Sequence, residues 1–154
     1  MEIAFSTNAF KKFSLADTIN ILSEIGYRGV EILCDIPHAY PKTQSDSDIS
    51  EIKQLLSKLR ISISNLNAFT LFAIGDTHHP SWIEKDSGYR KLRIEHTIDC
   101  IKLAHKLGVS NISTEPGGPV MNLGLTENEL FKIFVDGIHQ ILETAEEENV
   151  TVLV

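Results

Sequence analysis

The sequence predicts an α/β chain with parallel strands and helices packed outside the sheet. Three observations carry this. Short apolar runs alternate without interruption with stretches of helical period, from Ile3 to Val154. Strict strand–helix–strand alternation makes neighbouring strands parallel, because each crossover helix returns the chain to the same end of the sheet. Polar residues recur just past each predicted strand, where such sheets bind ligands. Two architectures meet these conditions: an open doubly wound sheet and a (β/α)8 barrel.

The elements follow in order. Ile3–Thr7 is the first strand, and Ser14 N-caps a helix with the apolar stripe Leu15, Ile19, Leu22 and Ile25, stopped by Gly26. Gly29–Leu33 is the second strand. After a turn-rich stretch from Asp35 to Asp46, Asp48-Ile49-Ser50-Glu51 has the pattern of a capping box opening a helix buried through Ile49, Ile52, Leu56 and Leu59. Ile61–Leu66 is the third strand. Residues 67–87 form a loop too rich in Phe69, Leu71, Phe72, Ile74 and Trp82 to be disordered, so it packs over something. A helix spans Gly88–Leu107, with Ile94, Ile98, Ile101 and Ala104 inward, and Val109–Thr114 is the fourth strand. Thr126-Glu127-Asn128-Glu129 is a second capping box; the helix it opens carries Leu130, Ile133, Phe134, Ile138, Ile141 and Leu142 and runs into Glu146-Glu147-Glu148. Val150–Val154 is a fifth strand at the end of the sequence, which suits a truncated barrel better than a complete five-stranded domain.

Composition narrows the function. The 154 residues, expected to form one domain over 1–154, carry a net charge of −7 and show no basic stripe, which argues against nucleic acid as a partner. Arg90-Lys91-Leu92-Arg93 reads as the solvated face of a helix. No stretch approaches the roughly 20 apolar residues of a membrane span, and the start lacks the basic, apolar pattern of a signal peptide. Cys34 and Cys100 lack metal-ligand spacing and read as buried free thiols of a reducing, cytoplasmic compartment. There is no Gly-x-Gly-x-x-Gly after a strand, no Lys-Ser/Thr phosphate loop and no Gly-x-Ser-x-Gly elbow.

Candidate site residues are therefore sought at the strand ends. These are Ser6-Thr7-Asn8, then Glu31 with Asp35 and His38, then Asn65 and Asn67, then Ser113-Thr114-Glu115 before Gly117-Gly118-Pro119. Glu31 sits inside an apolar strand, so it either lines a pocket or pairs with a structural arginine such as Arg28. His78 and His79 are adjacent and point different ways, so at most one faces a site. His96, His105 and His139 lie on helices and read as structural or exposed. Trp82 reads as core, with the option of covering a ligand.

Taken in order, Phe5-Ser6-Thr7-Asn8-Ala9-Phe10, Gly26-Tyr27-Arg28-Gly29-Val30-Glu31-Ile32, Asp35-Ile36-Pro37-His38-Ala39-Tyr40-Pro41, Asn65-Leu66-Asn67-Ala68-Phe69 and Ile112-Ser113-Thr114-Glu115-Pro116-Gly117-Gly118-Pro119 resemble the xylose isomerase-like TIM-barrel superfamily. That family includes sugar phosphate isomerases and epimerases, dehydratases and abasic-site endonucleases. The resemblance implies a partial (β/α)8 TIM barrel, with strands 1–5 and helices 1–4 present. It implies proton transfer next to a carbonyl of a carbohydrate substrate, assisted by a divalent metal (Mn, Mg, Co or Zn). In such families the metal ligands stand at the ends of strands 5 to 8, so most catalytic residues are expected beyond this chain, which by itself would not fully bind the metal and is expected to be inactive. The substrate contacts implied here are Glu31, His38, Asn67, His78 and Glu115, with no metal ligand among them.

Two other readings compete. One is a non-catalytic half-barrel that binds a small molecule or self-associates as a homo-oligomer through open sheet edges. The other is a metal-dependent endonuclease of abasic DNA, disfavoured by the acidic charge and by Asn67 where early-strand histidine ligands would stand.

Overall fold

A computed structural model describes residues 3–118 and 124–154; Pro119, the end of the Gly-Gly-Pro turn, lies outside them. Five strands, β1 (Ala4–Ser6), β2 (Gly29–Leu33), β3 (Ser62–Asn67), β4 (Asn111–Ser113) and β5 (Thr151–Leu153), form one sheet in sequence order. All four neighbouring pairs are parallel. Sequential order without a reversal distinguishes a barrel wall from a doubly wound sheet, whose order reverses at a switch point. Four helices, α1 (Leu15–Ile25), α2 (Asp46–Leu59), α3 (Ser87–Leu107) and α4 (Glu127–Glu147), make the crossovers.

The core lies between the sheet and these helices. Val30, Ile32, Leu66 and Ile112 point into it from the strands and meet Ile19 and Leu22 of α1, Ile49 and Leu56 of α2, Ile101 and Ala104 of α3, and Ile141 of α4. Alternation along the strands then sends Glu31, Asn65, Asn67, Asn111 and Ser113 to the opposite face. That face is the interior of a barrel wall. Register keeps the polar set aligned: Glu31 opposes Asn65, and Asn67 opposes Ser113. The shift between Val30 and Glu31 matters here, because it absorbs Ser64 as an extra residue. Ser64 Oγ donates to the Val30 carbonyl at 3.2 Å. Without it, Glu31 and Asn65 would fall on different faces.

Local signals act largely as expected. Ser14 Oγ accepts the Asp17 N–H, and Gly26 closes α1 at φ 109°. The Thr126/Glu129 capping box forms. The α2 start differs: Ser45 and Asp48 make the capping box, so the helix begins at Asp46, three residues before the Asp48-to-Glu51 pattern would place its first turn. Asp48 serves as the N3 partner instead of the cap, which adds a full pair of bonds at the front of the helix.

Two further expectations are corrected. Arg93 is 1% exposed, not solvated. It shares the inward face of α3 with Thr97, Cys100 and Ile101, and the carbonyls of the overlying loop take its guanidinium. Leu142 is 41% exposed, because it flanks the outer edge of β5 where no further element covers it among the described residues. The long loop does pack down: Leu71, Trp82 and Ile83 are buried. Trp82 is core, donating its Nε1–H to Thr114 Oγ1 at 2.8 Å and standing edge-on to Phe134. Among the described residues no helix is long and apolar enough to cross a membrane.

Candidate functional site

The interior face of the wall carries a continuous polar ladder across three strands. Glu31 Oε2 accepts from Asn65 Nδ2 at 2.8 Å, and Glu31 Oε1 accepts from Asn67 Nδ2 at 3.3 Å. The second proton of Asn65 Nδ2 goes to Ser113 Oγ at 2.7 Å, and Asn65 Oδ1 accepts from Asn111 Nδ2 at 2.8 Å. Arg28, the alternative partner for Glu31, instead reaches the neighbouring Tyr27 carbonyl.

Counting donors and acceptors separates the roles in this ladder. Asn65 has spent both amide protons, so it is a hub that holds its neighbours. Among the described residues Glu31 keeps spare lone pairs, Asn67 keeps one amide proton and Ser113 keeps its hydroxyl proton. Those three groups face the open side with unused capacity, alternating acceptor and donor in the manner that suits neighbouring hydroxyls. All three are half-buried, which strengthens each bond relative to one in bulk water.

The other strand-end residues divide between site and scaffold. Thr7 is fully buried and accepts the Leu33 N–H, and Asp35 accepts the N–H groups of Ile36 and Phe72, tying the 67–87 loop to the end of β2. Glu115 is exposed beside the buried Thr114. His78 is exposed, its N–H taken by Asp76 Oδ1. His38 is 7% exposed and lines a cavity of about 270 Å3 between α1 and α2, on the helix side of the sheet. Its ring nitrogens make no hydrogen bond among the described residues, although the Phe10 and Phe13 carbonyls beside them partly offset the fall in its pKa caused by burial. Of the five residues chosen from sequence, the structure therefore brings Glu31 and Asn67 together and leaves His38, His78 and Glu115 outside their hydrogen-bonded cluster.

Asn65 and Ser113, strand-end candidates in the sequence, complete the ladder with Asn111. A period-two reading of the fourth strand could have found Asn111, which lies two residues before Ser113 on the same face. Arg93, by contrast, gave no signal. It donates Nε–H to the Pro80 carbonyl at 2.9 Å and an NH1 proton to the Ala68 carbonyl at 3.0 Å, pinning the start and the middle of the loop that follows β3. Burial pulls its pKa down to about 10. Beneath the same loop His96 contacts Cys100 Sγ at 3.4 Å, and burial holds His96 neutral, with a pKa of about 3. Both cysteines are buried free thiols, and burial pushes that of Cys100 up.

The described residues contain no group of three or more His, Cys, Asp or Glu side chains placed to hold a metal ion. Glu31, the one carboxylate of the ladder, points its oxygens at amide N–H donors, which is the surrounding of a hydrogen-bonded anion and not of a cation ligand.

No curated protein sequence matches the chain. Solved structures do. A D-psicose 3-epimerase with D-fructose is 13% identical with a TM-score of 0.76, over 99% of this chain and 51% of that one. A 3-keto-D-glucoside 4-epimerase from E. coli is 14% identical with a TM-score of 0.72, over 99% and 54%. A probable 3-DHS dehydratase from Bacillus anthracis is 19% identical with a TM-score of 0.69, over 100% and 52%. At these identities the likeness is one of fold, and the chain spans about half the length of the structures it resembles. Residues 19–154 match the xylose isomerase-like TIM barrel family, and with five parallel strands in sequence order walled by four helices, the chain belongs to that family as a partial barrel.

Proposed function

We propose that this chain is the first five strands and four helices of a carbohydrate isomerase or epimerase, which moves a proton on a carbon next to a carbonyl. The observation that carries this is the Glu31–Asn65–Asn67–Ser113 ladder on the interior face. It offers a carboxylate, an amide proton and a hydroxyl in fixed register, the array a polyhydroxylated substrate needs. The epimerases with which the wall shares its fold support the same substrate class.

On this reading the chain binds and orients. Glu31 accepts from one substrate hydroxyl, while Asn67 and Ser113 meet its neighbours. Asn65 holds Glu31 and Ser113 in place before the substrate arrives, and Glu31 in turn holds Asn67, which lowers the ordering cost at the moment of binding. A divalent cation belongs to the chemistry the family implies, but the residues present do not form its cage. Its holders, and the acid/base groups, are assigned to polypeptide beyond residue 154.

The test is solvent isotope exchange. A protein extended past residue 154 by three further strand–helix units is expected to incorporate deuterium from D2O next to the carbonyl of a ketohexose. Glu31→Ala in that protein is expected to raise KM at least tenfold. Absence of exchange with every ketose and aldose tried would overturn the reading.

A further inference from the structure

The loop after β3 is built around one imidazole, and it is not the one the sequence singles out. His79 Nδ1 lies 2.6 Å from Glu84 Oε1, and Glu84 is buried. The same oxygen accepts the Ser81 N–H at 2.8 Å. A carboxylate carries only lone pairs, so Nδ1 is the nitrogen that bears the proton. The backbone converges on the same residue. Asp76 Oδ1 accepts the N–H groups of His78 and His79 at 2.8 and 2.7 Å. Gly75 lies so close that a Cβ there would stand 1.9 Å from the His79 carbonyl oxygen. Arg93 holds the next carbonyl, that of Pro80.

This segment sits at the carboxyl ends of the strands. Trp82 N–H donates to the Pro116 carbonyl at 3.1 Å, and Gly117 packs so tightly on Ser81 that a Cβ would come within 2.4 Å of the serine side chain. The loop is thus docked on the end of β4, on the rim to which Glu31, Asn67 and Ser113 open. The His79 ring is 34% exposed, and Nε2 has no hydrogen-bond partner among the described residues. His78, with its backbone held by the same aspartate, has no side-chain bond among the described residues to orient it.

The geometry points to His79 as a substrate-contacting residue of the proposed carbohydrate site, with Glu84 as its positioning residue. Glu84 takes Nδ1–H, fixes the tautomer and leaves the Nε2 lone pair to accept from a substrate hydroxyl. A loop clamp alone would need neither a single tautomer nor a half-open ring. The inference rests on the carbohydrate reading of this face.

The experiment is NMR of the uniformly 15N-labelled protein, with D-fructose as the probe. Expected is a His79 signal with Nδ1 protonated and Nε2 bare. The Nε2 resonance should move saturably with D-fructose, and Glu84→Gln should scramble the tautomer while the backbone spectrum elsewhere stays unchanged. The tautomer and titration are read on the unaltered protein, so a Glu84→Gln variant that fails to fold does not remove the test. An Nε2-protonated or mixed tautomer overturns the inference outright. Movement of the Asn65 and Asn67 side-chain amides without movement of His79 overturns it while sparing the carbohydrate reading. D-Fructose, D-psicose and D-tagatose all leaving His79 and both asparagines unmoved overturns both.

Discussion

Asn65 donates to Glu31 across the β2–β3 pair at 2.8 Å, and with its other amide proton it reaches β4 at Ser113. One side chain therefore couples three parallel strands on the interior face. Replacing it with leucine removes three bonds at once and leaves the half-buried Glu31 carboxylate short of a donor. The expected cost is about 1–2 kcal/mol, since each lost partner strands a polar group. Asn67→Ala, which removes one longer bond to Glu31, is expected to cost less than about 1 kcal/mol. Urea denaturation of the two variants ranks them, and an equal or reversed ranking would remove Asn65 as the hub.

Arg93 should be the anchor of the loop. Arg93→Met keeps the aliphatic bulk but frees the Pro80 and Ala68 carbonyls. The loss is expected at about 1–3 kcal/mol, and the loop should loosen before the sheet does. Trp82 is the single tryptophan and sits in that loop fully buried, so its fluorescence reports locally. The variant should show red-shifted emission and faster acrylamide quenching under native conditions. An unchanged Trp82 signal would mean that the loop is held without Arg93.

Buried His96 makes stability fall with acid. Its folded pKa, about 3, lies below the ordinary 6.5, so between these values the unfolded chain binds a proton that the folded chain does not. Stability then rises with pH across that window, by up to about 1.4 kcal/mol per pH unit. His38, also depressed by burial, adds in the same direction. Between pH 5 and 6.5, above most carboxylate titrations, His96→Leu should flatten the slope of unfolding free energy against pH. A variant with the wild-type slope there would show that His96 is not buried neutral.

The outer edges of β1 and β5 have no strand partner among the described residues. Leu153 and Val154 are 46% and 71% exposed beside the β5 edge, and Ile3 is 65% exposed at the other end of the sheet. Unpaired edges with apolar flanks recruit other strands. The 154-residue chain by itself is expected to form oligomers in light scattering and to turn over no ketose. A monodisperse monomer, or measured turnover, would count against the partial-barrel account.

The α/β alternation, the caps at Ser14 and Thr126 and the glycine stop at Gly26 were legible because each is set within a few residues of chain. Glu31 and Asn67 were legible for a related reason: a polar residue at a parallel strand end must face either a partner or a pocket. The start of α2 was not, because Ser45-x-x-Asp48 and Asp48-x-x-Glu51 carry the same local signal and only the docked helix selects between them.

The sequence alone thus determined the order of elements, the family resemblance and the end of the strands at which polar groups gather. The tertiary structure decided which of those groups meet. The extra residue at Ser64 sets Asn65 opposite Glu31, the packing of the 67–87 loop buries Arg93 and chooses His79 over His78, and the cavity between α1 and α2 takes His38 away from the ladder. Each of these depends on contacts between segments far apart in the chain, which local periodicity does not encode.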